Sequence, residues 1–302
     1  MNTQRNSHSI DTAPWIVRLA SLVSGGGTTA QSLAMKAQAG ELWDIRTVVF
    51  IASKDDIGAI EKAQKLGIPV EIVNPKDPID ILRVITKHKV QIVFQNGWLP
   101  KTPEEVIIYL EEKWIIALNQ HPGDLRRDRN DFGWNEKGKW MYGTRVTASR
   151  VLYLAALGSE GEDVFTSSSI HRLTPDVDGG ELVGAQRLIF SRDMCKFRAA
   201  FFRDVDFNTV EKRIQYISAV LDGTAPDAVE KKPILTNFIW FIQGELLKLE
   251  HLNVAHTVQA IIENWGKQLP VHPDYESVLV PGENVEILNW AKSTAVQLYP
   301  KG

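Results

Sequence analysis

From Trp15 onward the chain repeats one pattern: a short apolar run, a break, then a stretch with apolar residues at helical spacing. No other feature constrains the fold as much. The runs Trp15–Val23, Ile45–Ala52, Pro69–Val73 and Val90–Phe94 are short and apolar nearly throughout, as strands covered on both faces are. Between them lie AQSLAMKAQAGEL, DDIGAIEKAQKLGI and IDILRVITKHK. The second of these is closed by Gly67, a residue suited to the left-handed end of a helix. Such alternation predicts an α/β fold: a doubly wound, mostly parallel sheet with helices on both faces and right-handed crossovers. A helix over Thr102–Lys113 and a strand in WIIALNQHP, ending at Asn119–Pro122, extend the series. Residues 123–142 have no period and read as a long loop. A helix over Arg145–Leu157 follows, then strands over Ser167–Leu173 and Glu181–Phe190 joined by a turn at Asp176–Gly180.

Past about residue 195 the alternation stops. Helical spacing marks Asn208–Leu221, Ile234–Leu249 and Val254–Trp265, with GTAPD and HLN as the breaks, and a last helix covers Asn284–Tyr299. The expected division is a flexible N-terminus at 1–14, an α/β domain at 15–195 and a helical extension at 196–302. A length of 302 residues fits about two domains. Thirty-four basic against 37 acidic residues give a net charge of −3, which argues against a large nucleic-acid footprint. Cys195 is the only cysteine, so intramolecular disulfides and all-cysteine metal sites are excluded. MNTQRNSHSIDTAP lacks the apolar stretch of a secretory signal. Nowhere do about 18 apolar residues run together, so no membrane partner is expected. The expectation is a cytoplasmic protein.

Three segments carry candidate chemistry. Gly25-Gly26-Gly27-Thr28-Thr29-Ala30 follows the first strand and opens a helix, where backbone N–H groups and small residues suit a phosphate. The alternative is a tight glycine turn without a ligand. Asn119-Gln120-His121-Pro122 ends a strand, and open α/β sheets bind ligands at the carboxyl ends of their strands. An amide donor and an imidazole there suit acid–base work on an oxyanion, although a lone histidine is often structural. The third, Ser169-Ile170-His171-Arg172-Leu173-Thr174-Pro175-Asp176-Val177-Asp178-Gly179-Gly180, puts a carboxylate on a turn with little bulk behind it. Asp178 taken by itself reads better as an ordinary Asx turn.

Together, S-G-G-G-T-T, N-Q-H-P and S-I-H-R-L-T-P-D-V-D-G-G resemble the 10-formyltetrahydrofolate-dependent formyltransferase family over roughly residues 15–190. The likeness is greatest to its members acting on phosphoribosylglycinamide (GAR). The resemblance implies a Rossmann-like catalytic domain at 15–195 and direct transfer of the formyl group to the primary amine of GAR in purine biosynthesis. It implies Asn119, His121 and Asp178 as the catalytic residues, with His171 supporting them. Gly26, Gly27, Thr28 and Thr29 would hold the substrate phosphate, and Asn96, Gly97, Trp98, Leu99, Lys101 and Val177 the folate. Folate and GAR are the implied partners, no metal is needed, and a homodimer is left open. This chain departs from the family pattern in three places. Gly123-Asp124-Leu125-Arg126 replaces S-L-L-P, Lys76 is the nearest cation to a family arginine, and Ala295 stands where an acid aligns. Readings kept beside it are an amino-sugar nucleotide or water as formyl acceptor, an NAD-dependent dehydrogenase, and a non-catalytic binding module.

Overall fold

The computed structural model describes residues 15–125, 141–158, 164–205, 208–267 and 284–300. The N-terminal fourteen residues, most of the 123–142 loop, its RRDR run at 126–129 and the proline-bearing stretch before the last helix lie outside them. The strands are β1 (Val17–Val23), β2 (Ile45–Ala52), β3 (Val70–Ile72), β4 (Ile92–Gln95), β5 (Ile116–His121), β6 (Phe165–Arg172) and β7 (Leu182–Ile189). The first four helices are α1 (Thr28–Gln38), α2 (Gly58–Lys65), α3 (Pro78–Lys87) and α4 (Glu104–Glu112). They are followed by α5 (Thr144–Leu157), α6 (Ser191–Phe201), α7 (Val210–Asp222), α8 (Ala228–Glu263) and α9 (Val285–Leu298). The strands are ordered β3-β2-β1-β4-β5-β6-β7. The chain forms two compact units, divided at Leu118/Asn119 inside β5 and again at Thr257/Val258, where it returns to the first unit as far as Gln268.

In the first unit β1 pairs in parallel with β2 and β4, and β2 with β3. The runs of β1, β2 and β4 are buried on both faces, as their composition requires, whereas β3, at the edge of the sheet, is not, and its Ile72 is 51% exposed. On β2, Val49 and Ile51 join one core cluster with Ile81, Val84 and Ile85 of α3, while Phe50 and Ala52 join another with Ala30 and Ala34 of α1. Strand order reverses between β1 and β4, which in open α/β sheets leaves a crevice at the carboxyl ends of those strands.

In the second unit β6 and β7 are antiparallel, with a register shift between Ile170 and His171. Gly180 closes this hairpin, and a side chain there would strike the Arg172 carbonyl. The core is built by α5 through α9, with Phe197 and Phe238 stacked at 4.4 Å. One sequence expectation fails here. HLN is not a break, because α8 runs unbroken for 36 residues through it. Asn253 is 2% exposed and its amide donates to the Ser168 backbone carbonyl on β6 at 2.9 Å, so a polar residue on the inner face has a partner and the helix continues.

Candidate active site

β5 is short, and three of its last four residues are buried. Leu118 and Gln120 are buried, whereas Asn119 keeps some exposure and His121 is buried at the strand's end. The register shift in β6 turns His171 inward. The turn before β7 then brings Asp178 back over both strands with its backbone in the left-handed region, φ 55°. Aspartate is one of the few non-glycine residues that adopt this conformation readily.

These elements gather four polar side chains within the second unit. The Asn119 amide donates to Asp178 Oδ1 at 3.2 Å and lies 3.0 Å from His171 Nε2. His171 Nε2 is 3.3 Å from Asp178 Oδ1, and His121 Nδ1 is 3.6 Å from Asp178 Oδ2. His171 Nδ1 lies 2.8 Å from the Arg172 carbonyl, an oxygen that can only accept, so Nδ1 carries a proton. With Nδ1 so committed, Nε2 accepts from the Asn119 amide when the ring is neutral and donates to Asp178 Oδ1 when it is charged. Burial works to raise the Asp178 carboxyl, but the charge of His121, the hydrogen bond and charge of His171 and the Asn119 amide outweigh it. The group is held below the ordinary carboxylate range and is ionised at neutral pH.

Sequence reasoning passed over a fifth group. Glu250 of α8 is 4% exposed, and burial pushes its carboxyl up to about 7, against the opposing pull of Gln120 and His121. Its only signal was a charged residue on a helix face that otherwise reads as core, far from the motifs in sequence.

The remaining expected residues sit in the first unit. Gly27 has φ 64°, and a Cβ there would stand 2.5 Å from that of Ala59, so glycine is required on both counts. α1 begins at Thr28 with no side-chain cap, leaving first-turn N–H groups to other partners. Gly25 and Gly26 are exposed and open on the side where a Cβ would point, Thr28 is half-buried and Thr29 is buried. Ser24 ties this loop to the one after β4: its N–H donates to the Gly97 carbonyl at 3.1 Å, and its Oγ accepts from Leu99 N–H at 3.1 Å. Asn96 and Trp98 are buried, and Asn96 Oδ1 and Trp98 Nε1 lack hydrogen-bond partners. The Trp98 ring also belongs to the core cluster with Ile81 and Val106. Leu99 and Lys101 are exposed; Val177, in the second unit, is 37% exposed. Ala295 is buried in the helical core.

The chain matches no protein family model. Among solved structures it is similar to phosphoribosylglycinamide formyltransferase from Anaplasma phagocytophilum, with a TM-score of 0.52 and 17% identity over 86% of this chain and 92% of that one. The enzyme of that name from Brucella melitensis gives 0.51 and 17% over 85% and 99%. The likeness is one of fold: the chain has a formyltransferase-like fold, as the resemblance of its motifs implies.

Proposed function

We propose that the protein moves the formyl group of 10-formyltetrahydrofolate onto the primary amine of GAR. The observation that carries this reading is the convergence of Asn119, His121, His171 and Asp178, from three places in the sequence, on one ionised carboxylate. An amide, an imidazole and a carboxylate are the groups that formyl transfer needs. The amine attacks the formamide carbon, and a tetrahedral intermediate forms with negative charge on the formyl oxygen. As it collapses, the bond from carbon to N10 breaks; N10 takes up a proton and the attacking nitrogen gives one up.

His121 as imidazolium donates to the developing oxyanion, and Asp178 holds that charge in place. Asn119 joins as a donor by exchanging one of its two bonds, to His171 or to Asp178, for the formyl oxygen. Each preorganised donor of this kind is worth ~3–4 kcal/mol. Asp178 also relays the proton from amine to N10 through water. His171 orients Asn119 and Asp178.

In the first unit, the uncapped turn at Thr28, the open backbone of Gly26 and the left-handed turn at Gly27 suit the ribose phosphate, with the Thr28 and Thr29 hydroxyls beside it. The strand-order reversal between β1 and β4 suits the folate ring, with Asn96 opening the loop after β4. Gly97, Leu99 and Lys101 complete that loop.

The test is to mix the protein with 10-formyltetrahydrofolate, with and without GAR, and follow deformylated folate by absorbance. Turnover that requires GAR is the expected result. Turnover without an amine would replace transfer by hydrolysis. Folate binding without turnover in either mixture would move the acceptor to another amine, such as an amino-sugar nucleotide.

A further inference from the structure

Three tryptophans stand exposed in the first unit, each two residues ahead of a strand: Trp15 before β1, Trp43 before β2 and Trp114 before β5, at 63%, 68% and 91% exposure. The strands start level with one another. Val17 is in register with Ile45, the Gln91 N–H donates to the Arg18 carbonyl at 2.8 Å, and the Ile116 N–H donates to the Gln91 carbonyl at 3.0 Å. The tryptophans therefore mark one edge of the sheet, at the amino ends of β2, β1 and β5, across a few strand spacings of ~4.8 Å. That edge lies opposite the crevice. Trp114 also has an unusual backbone. Its N–H donates to the Glu111 carbonyl at 3.0 Å and the Ile115 N–H to the Leu110 carbonyl at 2.8 Å, the paired bonds that close a helix through a left-handed residue, here at φ 56°. Helix α2 closes by the same two bonds, Gly67 to Gln64 and Ile68 to Ala63, and there the left-handed residue is a glycine. The turn thus needs the conformation and no side chain. A bulky residue in that region is a strained outlier, and this one leaves an indole in water as well, so folding does not account for it.

We propose that this edge is where two copies of the chain associate, with Trp114 as the anchor. The proposal is independent of the reaction assigned above. At about 250 Å² for a whole side chain, the three indoles leave roughly 500 Å² in water. Soluble monomers rarely expose contiguous apolar patches beyond a few hundred Å², and each partner in a standard interface supplies about 800 Å². The tryptophans alone provide more than half of that share. The charges around them fit a second copy. Asp44 and Arg46 flank Trp43, Glu112 and Lys113 precede Trp114, and all four are exposed. A two-fold axis through the middle of the row sets the β2 end of one copy against the β5 end of the other. Trp43 then meets Trp114, Asp44 meets Lys113 and Arg46 meets Glu112. A partner of one sign, such as an anionic membrane or a nucleic acid, would face a like charge at each end. The crevice at the opposite edge stays open in both copies.

Sedimentation velocity of the full-length protein reads the association without any substrate. The wild type is expected to sediment as a dimer at micromolar concentration and to dissociate on dilution. Trp114→Gly should weaken the dimer by about tenfold or more. Its urea midpoint, taken at a dilution where the wild type is monomeric, should stay equal or rise, because glycine suits the left-handed turn. A tryptophan kept for the fold would give the reverse. Lys113→Glu should also weaken the dimer, and adding Asp44→Lys to the same chain should restore it, since the two-fold pairing is then rebuilt with the signs exchanged. Should Trp114→Gly not fold, Trp43→Ser and the charge exchange decide. A wild type that stays monomeric at every concentration overturns the proposal, as does a dimer indifferent to both tryptophan substitutions. Two further outcomes overturn it by naming another occupant. One is Trp114-dependent co-sedimentation of the monomer with phosphatidylserine vesicles; the other is a dimer that forms only once residues 2–14 are deleted.

Discussion

At the scale of single residues, Asp178 and Glu250 are opposite cases of a buried carboxyl. Asp178 is compensated by two imidazoles and an amide and stays charged, whereas Glu250 has little to offset burial and takes up a proton near neutrality. Asp178→Asn keeps a residue that tolerates φ 55° and removes only the charge. Turnover is expected to fall by about 10²–10⁴-fold while folate binding, measured by titration calorimetry, survives. Near-normal turnover in that variant would defeat the role given to Asp178. Glu250 makes a prediction about stability. Its folded pKa, about 7, lies above the ordinary 4.5, so between those values the folded state binds more protons than the unfolded one. Stability is therefore greatest below 4.5 and is lost as pH rises through 7, by up to about 3 kcal/mol. Glu250→Gln should remove that loss: urea midpoints of variant and wild type would be similar at pH 4.5, with the variant higher at pH 8. Equal midpoints at pH 8 would show that folding does not raise the Glu250 carboxyl. The motif residues were legible from sequence because N-x-H and D-G-G carry a recognisable spacing. Glu250 was not, since what distinguishes it is the neighbourhood into which α8 packs.

At the scale of elements, the sequence was most readable where an element is buried on both faces. The boundaries of β2 coincide with its apolar run, because a charged or polar residue placed anywhere within Val48–Ala52 would meet a helix on one side or the other. Reading failed at residues 251–253 for the converse reason: the polar HLN reads as a break between two helices, yet Asn253 faces inward and is bonded to β6. That contact is testable. Asn253→Ala leaves the Ser168 oxygens without their donor and should cost about 1–3 kcal/mol, read from chemical denaturation. A change within experimental error would mean that α8 is held by its apolar face alone.

For the whole molecule, the compact units do not follow chain order. The first unit takes its last segment from Val258 onward, where Gln259 Oε1 accepts the Trp43 N–H at 3.1 Å, and Val258 and Ile261 are fully buried. A fragment ending at Leu118 lacks these residues and should show no cooperative thermal transition by circular dichroism, although its strands and helices α1–α4 are all present. A sharp transition in the fragment would show that the distal segment is dispensable. Alternation along the sequence could not reveal this arrangement, since it reports which elements form and not which of them are packed together. The arrangement also bears on biosynthesis. The N-terminal unit leaves the ribosome first but waits for the far end of α8, an interval on the order of ten seconds at typical elongation rates. Through that interval the nascent sheet is a substrate for chaperones before it is a finished half of the protein.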